Sequence, residues 1–184
     1  MTKIFLLLVV LWLHGFASAQ QRLTFHSQNY VGMLEGEAGT SVQLHTVNGL
    51  QYRKWFGGIG AGLDYYYFRS IPLFLSLNRD LNIKRNKFYF SADGGINFPW
   101  VKNTTFYWAE QEDFSPSHYW AGGMGYKLAI NKQNRLLLHI GYSYKHMIQE
   151  TQYEYPCLIP PCPVSKQRYD YYLKRLSLKA GWMF

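Results

Sequence analysis

The sequence is built from segments of about ten residues in which polarity alternates with a period of two, and this period constrains the fold more than any other feature. After residue 19 no window combines helix caps with a 3.6-residue apolar period, and none carries 18 consecutive apolar residues. Eight alternating segments can be counted, each ending in turn residues. They are 29–37, 41–50, 56–68, 71–78, 88–100, 118–130, 135–147 and a closing stretch that begins near Arg168 and ends on Phe184.

Each segment has one face suited to an apolar environment. In 41–50 the sides are Val42, Leu44 and Thr46 against Gln43, His45 and Val47; in 135–147 they are Leu136, Leu138 and Ile140 against His139, Gly141 and Ser143. In the first segment, Tyr30, Gly32 and Leu34 are expected to face outward, with Met33, Glu35 and Glu37 inward. Aromatic residues are abundant, with 16 Tyr, 12 Phe and 6 Trp beside 16 Gly. That composition suits a closed barrel whose outer wall meets lipid between aromatic girdles, while a water-soluble β-sandwich is compatible with composition alone.

The connections favour the barrel. The roughly five residues after Leu50, "RDLNIKRNK" and "NKQN" are short connections on one end, while two connections on the opposite end, 101–117 and 149–167, are long. Short turns on the side of the termini and long loops opposite are the pattern of an outer-membrane barrel. In hydrocarbon every unpaired backbone group costs several kcal/mol, so a sheet survives there only when closed. The expected fold is all-β: an eight-stranded antiparallel up-and-down transmembrane β-barrel, with an interior just wide enough for side chains to fill.

The N-terminal "MTKIFLLLVVLWLHGFASAQQ" reads as a secretory signal peptide over 1–19: Lys3, an apolar run from Ile4 to Leu13, and Ala17-Ser18-Ala19 as the cleavage site. The barrel domain then covers 20–184. Loss of Lys3 lowers the formal charge from +8 to +7. In an exported chain without long Lys/Arg runs, this balance points to anionic headgroups or surface sugars and away from nucleic acid.

With these features the chain resembles the small outer-membrane β-barrels of Gram-negative bacteria, of the OmpA-barrel or OmpX type, including those common in Bacteroidetes-like bacteria. The resemblance covers roughly 28–184 and is carried by "GGIGAGLDYYYFRSIPLFLSL" and "LSLKAGWMF". It implies an integral outer-membrane location, periplasmic termini, extracellular long loops, and contact with outer-membrane lipids and lipopolysaccharide. It further implies that the barrel-assembly machinery reads an alternating final strand with a terminal aromatic, matched here by Leu176, Leu178, Ala180, Trp182 and Phe184. A monomer is expected.

Charged and polar residues expected in the lumen are Glu35, Glu37, Asp64 and Asp93 with Lys127, His139, Lys145, Arg175 and Lys179. As buried charges they should pair with one another, and Glu35 with Arg175 across the closing seam is the expected contact. A narrow conducting column is the alternative. Lipid A-modifying enzymes of this class need a His beside a Ser with an orienting carboxylate. On one strand His139 and Ser143 lie about 13 Å apart, and adjacent Ser117 and His118 point to opposite faces. Neither makes a catalytic pair, although Glu110, Glu112 and Asp113 precede the second. The expectation is a non-enzymatic protein with no catalytic set, metal or cofactor. Cys157 and Cys162, in "YPCLIPPCP", read as a disulfide in an oxidising compartment. Phe106, Tyr107 and Trp108 are candidates for a girdle or a glycan contact.

Overall fold

The structure is a computed structural model that describes residues 23–83, 86–100, 110–131, 134–154, 157 and 163–184. The expected signal peptide, Cys162 and the aromatics at 106–108 lie outside these residues. Nine strands occur among them: β1 (Thr24–Gly36), β2 (Gly39–Tyr52), β3 (Trp55–Asp64), β4 (Ser70–Ile83), β5 (Asn86–Pro99), β6 (Glu110–Ser115), β7 (Ser117–Ala129), β8 (Arg135–Glu154) and β9 (Val164–Met183).

Eight of the nine close a ring. Every adjacent pair is antiparallel, in the order β1-β2-β3-β4-β5-β7-β8-β9, and β9 returns to β1. Stepping across the register from His26 leads through Gly49, Gly58, Ser76, Asp93, Ala121, Ser143 and Arg175 back to β1 at Gly36, ten residues above the start. A stagger of that size in eight strands corresponds to a tilt of about 40°. Phe184 completes the seam, exchanging backbone hydrogen bonds with Ser27 at 2.9 and 3.1 Å.

The ninth strand revises the expected count without changing the architecture. β6 pairs with β8 directly above the stretch of β8 that pairs with β7. Ser115 stands opposite Ile148 and Tyr119 opposite Lys145, so four steps on this side match three on β8. The extra residue is a bulge at Pro116, which has no N–H to give a ladder. β6 and β7 are therefore one broken ring position. The expected long loops shorten accordingly: 110–115 is strand, and β8 and β9 run 20 residues each, well beyond the 147 and 168 expected from the sequence.

Side-chain alternation sorts the wall. Val31, Leu44, Ile59, Leu75, Ile96, Met124, Ile140 and Leu178 put at least one exposed apolar side chain on every ring strand. Aromatics flank this band. Toward the end where β8 and β9 project, Trp120 stacks on Tyr144 at 5.6 Å and His146 on Tyr172 at 4.8 Å. Toward the other, Arg79 lies 5.0 Å over Trp55 and Phe88 packs on Tyr126 at 5.1 Å.

One strand is the reverse of its expected orientation. Leu34 is fully buried, whereas Val31 and Met33 are exposed, and so are Glu35 and, in the turn that follows, Glu37. Both faces of 29–37 are apolar, so alternation alone could not choose between them. The carboxylates sit beside the β1–β2 turn, where an outward charge meets polar surroundings and need not be enclosed.

Inside, glycines face aromatics across the register. Gly60 lies opposite Phe74, Gly125 opposite Tyr89, Gly181 opposite Tyr30 and Gly62 opposite His45, and in each case the ring occupies the space a Cβ would need. Small-beside-large pairing lets an eight-stranded ring enclose whole aromatic rings. Val47, Phe56, Phe74, Tyr119 and Ala121 form one buried cluster, and Tyr89, Leu137 and Met183 another.

Candidate functional site

Polar residues on the inward faces of all eight ring strands form three layers along the barrel axis. The layer nearest the short turns is an ion pair, Lys127 Nζ to Asp80 at 2.6 Å, supported by Gln51 Nε2 donating to the other Asp80 oxygen at 3.2 Å. Lys127 also lies 5.1 Å over the Tyr89 ring. Asp80 lies beyond the expected fourth segment, 71–78, because β4 runs on to Ile83. Continuing Ser76 and Asn78 by one more period-two step would have found it.

The middle layer is a hydrogen-bonded cluster. Gln28 Oε1 accepts from Asn78 Nδ2 at 3.1 Å and from Tyr30 OH at 2.8 Å. Ser91 Oγ and His139 Nε2 are 2.7 Å apart. Asp93 and Lys179 line the same space, which has room for about one water molecule. His139 therefore meets a serine two ring positions away, and Ser143 of its own strand, as expected, is out of reach. Asp93 lines the same space as the Ser91–His139 contact.

In the upper layer Asp64 receives two cations. Arg175 Nη1 pairs with Asp64 Oδ2, and Lys145 Nζ is 3.4 Å from Asp64 Oδ1, all three being essentially inaccessible. The expected Glu35–Arg175 contact does not form: Arg175 stands opposite Gly36, Glu35 stands opposite Leu176, and Glu35 instead accepts from Thr40 on the outside. Glu35 and Glu37 are thus absent from the lumen, while Asp64, Asp93, Lys127, His139, Lys145, Arg175 and Lys179 lie on inward faces.

Above the upper layer the segment 65–69 folds into the mouth. Lys145 Nζ donates to Tyr66 O at 2.9 Å, Phe68 O at 3.1 Å and Ser70 Oγ at 3.1 Å. The Tyr66 ring is buried, its N–H donates to Asp64 Oδ1, its hydroxyl accepts from Ala38 N, and Arg175 lies 5.4 Å over it. Tyr67 takes a left-handed backbone, φ 62°, which turns the chain inward. Phe68 then packs on Phe114 at 5.1 Å and Tyr171 at 5.6 Å, closing the mouth.

Beyond this lid β6, β8 and β9 continue as a three-stranded sheet. A strand tilted in a barrel needs about 9–11 residues to cross hydrocarbon, so about half of the 20 residues in β8 and β9 project past the ring. Tyr171 OH and Gln149 link to Glu112 through bonds of 3.0 and 3.1 Å, and His146 and Arg168 both engage Asp170. At the tip, Cys157 is disulfide-bonded.

On the outer wall, Asn29 and Thr46 satisfy each other at 2.8 Å within a shallow groove of about 850 Å³. The groove exists because Ala61 and Ala180 are small beside Val31, Leu44 and Trp182.

No family model and no curated protein matches the sequence. Solved structures do match in fold. The crystal structure of Neisserial surface protein A superimposes with a TM-score of 0.57 at 12% identity, covering 86% of this chain and 94% of that one. The solid-state NMR structure of outer membrane protein AlkL in lipid bilayers gives 0.56 at 10% identity, covering 90% and 92%. The fold is that of the eight-stranded outer-membrane barrels.

Proposed function

We propose that the protein is a monomeric integral outer-membrane barrel that neither conducts nor catalyses, and that it works through the sheet and loops beyond its rim. Its apolar outer band would be solvated by outer-membrane lipid, with the girdle aromatics at headgroup level beside lipopolysaccharide and the net positive charge favouring anionic groups. In water the same contiguous band would be an aggregation surface. On this reading the termini and short turns are periplasmic and the β6-β8-β9 sheet is extracellular.

The observation that carries the reading is the sealed interior. Lys127–Asp80 crosses the lumen at one end, the Asp64 cluster and the 65–69 segment occupy the other, and the middle space beside Asp93, His139 and Lys179 has room for about one water molecule. A hydrated path for ions is missing among the described residues, and the Ser91–His139 contact has no route for substrate.

The test joins localisation to conductance. Purified protein should migrate faster unheated than boiled, fractionate with the outer membrane, give no steps above baseline in planar bilayers, and lose its β8–β9 tip to protease on intact cells. Regular single-channel steps, or recovery as a soluble periplasmic protein, would overturn the proposal. Unchanged lipid A mass spectra with and without the gene are expected if no enzyme is present.

A further inference from the structure

The upper layer contains more positive charge and more hydrogen-bond donors than its partners can use. Asp64 is the sole carboxylate in contact with Arg175 and Lys145 among the described residues. The other interior acids are engaged elsewhere: Asp80 pairs with Lys127 at the far end, and Asp93 lines the middle space with Lys179. Lys145 spends its three protons on Tyr66 O, Phe68 O and Ser70 Oγ. Arg175 uses Nη1 on Asp64, while its Nε and Nη2 have no protein acceptor although the residue is 1% exposed.

Three further buried groups around Arg175 share this condition. Ser143 Oγ lies on the residue directly opposite Arg175 on β8, and Ser177 Oγ is two residues along the same inward face of β9. Gln43 Nε2 belongs to the residue opposite Asp64 on β2. All three residues are at most 2% exposed. Every one of these groups can donate. A neutral acceptor would satisfy some of the hydrogen bonds and leave the excess charge, and buried charge without compensation is costly. An anion satisfies both. The Tyr66 ring lies over Arg175, and Leu34, opposite Ser177, is fully buried, so only a small anion can fit among these donors.

We propose that the barrel interior beside Arg175 is a binding site for one small inorganic anion of the halide class, held by Arg175, Ser143, Ser177 and Gln43. It completes the ion cluster that ties β9, β3 and β8 together, and folding of this barrel is thereby linked to halide concentration. The site lies wholly inside the barrel and does not depend on the proposed cellular role.

The experiment is refolding of the full chain in detergent micelles, from urea, in sodium chloride or bromide against sodium gluconate at constant ionic strength. Gluconate is too large to enter. Raising halide from about 5 to about 500 mM should increase the folded-to-unfolded ratio by about tenfold or more, as a ligand specific to the folded state requires. Because Arg175 variants also break the Asp64 ion pair and so perturb folding itself, the decisive variant is Gln43→Glu, which supplies the missing negative charge covalently. It should fold in gluconate and lose the halide dependence. Crystals grown from protein refolded in bromide should show an anomalous peak within hydrogen-bond reach of Arg175 Nε or Nη2. A water at that position, or equal halide dependence in Gln43→Glu, would overturn the site.

Discussion

Arg175 of β9 and Asp64 of β3 form an ion pair across the barrel interior although β1 and β2 separate their strands in the sheet. The contact is a chord across the ring, and Lys145 of β8, the strand beside β9, joins it. Asp64→Asn leaves two buried cations without their acid, a change of about 3–5 kcal/mol. The double variant Asp64→Asn/Arg175→Met should be less destabilised than the two single losses added together. Urea titration of refolded protein, read by gel mobility without boiling, measures all three; strict additivity would mean that the pair is not coupled.

The glycine–aromatic register makes a sharper comparison, because two glycines of the same sheet face opposite ways. A Cβ at Gly60 meets the Phe74 ring, whereas one at Gly94 meets nothing within 4 Å. Gly60→Val should cost about 1–3 kcal/mol by overpacking the interior. Gly94→Val, on the outer wall, should change stability by less than about 0.5 kcal/mol. Similar losses at both sites in the same unfolding assay would mean that backbone effects, rather than the ring opposite Gly60, set the cost.

How far the sequence discloses this molecule follows from the range of each interaction. Alternation is local, so the inward and outward faces of β2, β3, β4, β5, β7, β8 and β9 can be read directly. β1 is the exception because Tyr30 and Leu34 on one side are as apolar as Val31 and Met33 on the other. The bulge at Pro116 resets the alternation by one residue and conceals the continuity of β6 with β7. Chords across the lumen, such as Ser91–His139 and Asp64–Arg175, depend on stagger and tilt. No spacing in the chain encodes them, and Asp80 escapes only because its strand extends further than its turn-like residues suggest.

The projecting sheet has its own pH dependence. The side-chain hydrogen bond from Arg168 holds the Asp170 carboxyl below the usual carboxylate range, and a contact with His146 acts in the same direction. A depressed acid contributes order fully above its unfolded value of about 3.9 and loses it as pH falls through the lower folded value. Amide exchange corrected for intrinsic rates should therefore show residues 146–150 and 168–172 losing protection below about pH 4. Asp170→Asn should lack protection there at neutral pH and show little further change on acidification. Identical profiles for the two proteins would remove Asp170 from this role.

Lys145 fastens the 65–69 segment into the mouth with three donors on a single ammonium group. Lys145→Met removes charge-assisted bonds worth about 1.5–3 kcal/mol, which raises the open population of the segment by about tenfold or more. Protease cleavage between Tyr65 and Arg69 should accelerate accordingly in the folded, micelle-bound protein. Conductance should nevertheless stay at baseline, because Lys127–Asp80 and the Gln28, Tyr30 and Asn78 cluster still fill the rest of the lumen. If loosening this one segment produced channel steps, the lower layers could not be the barrier. The seal would then reside in the Lys145-held lid alone, and the barrel would be a gated pore.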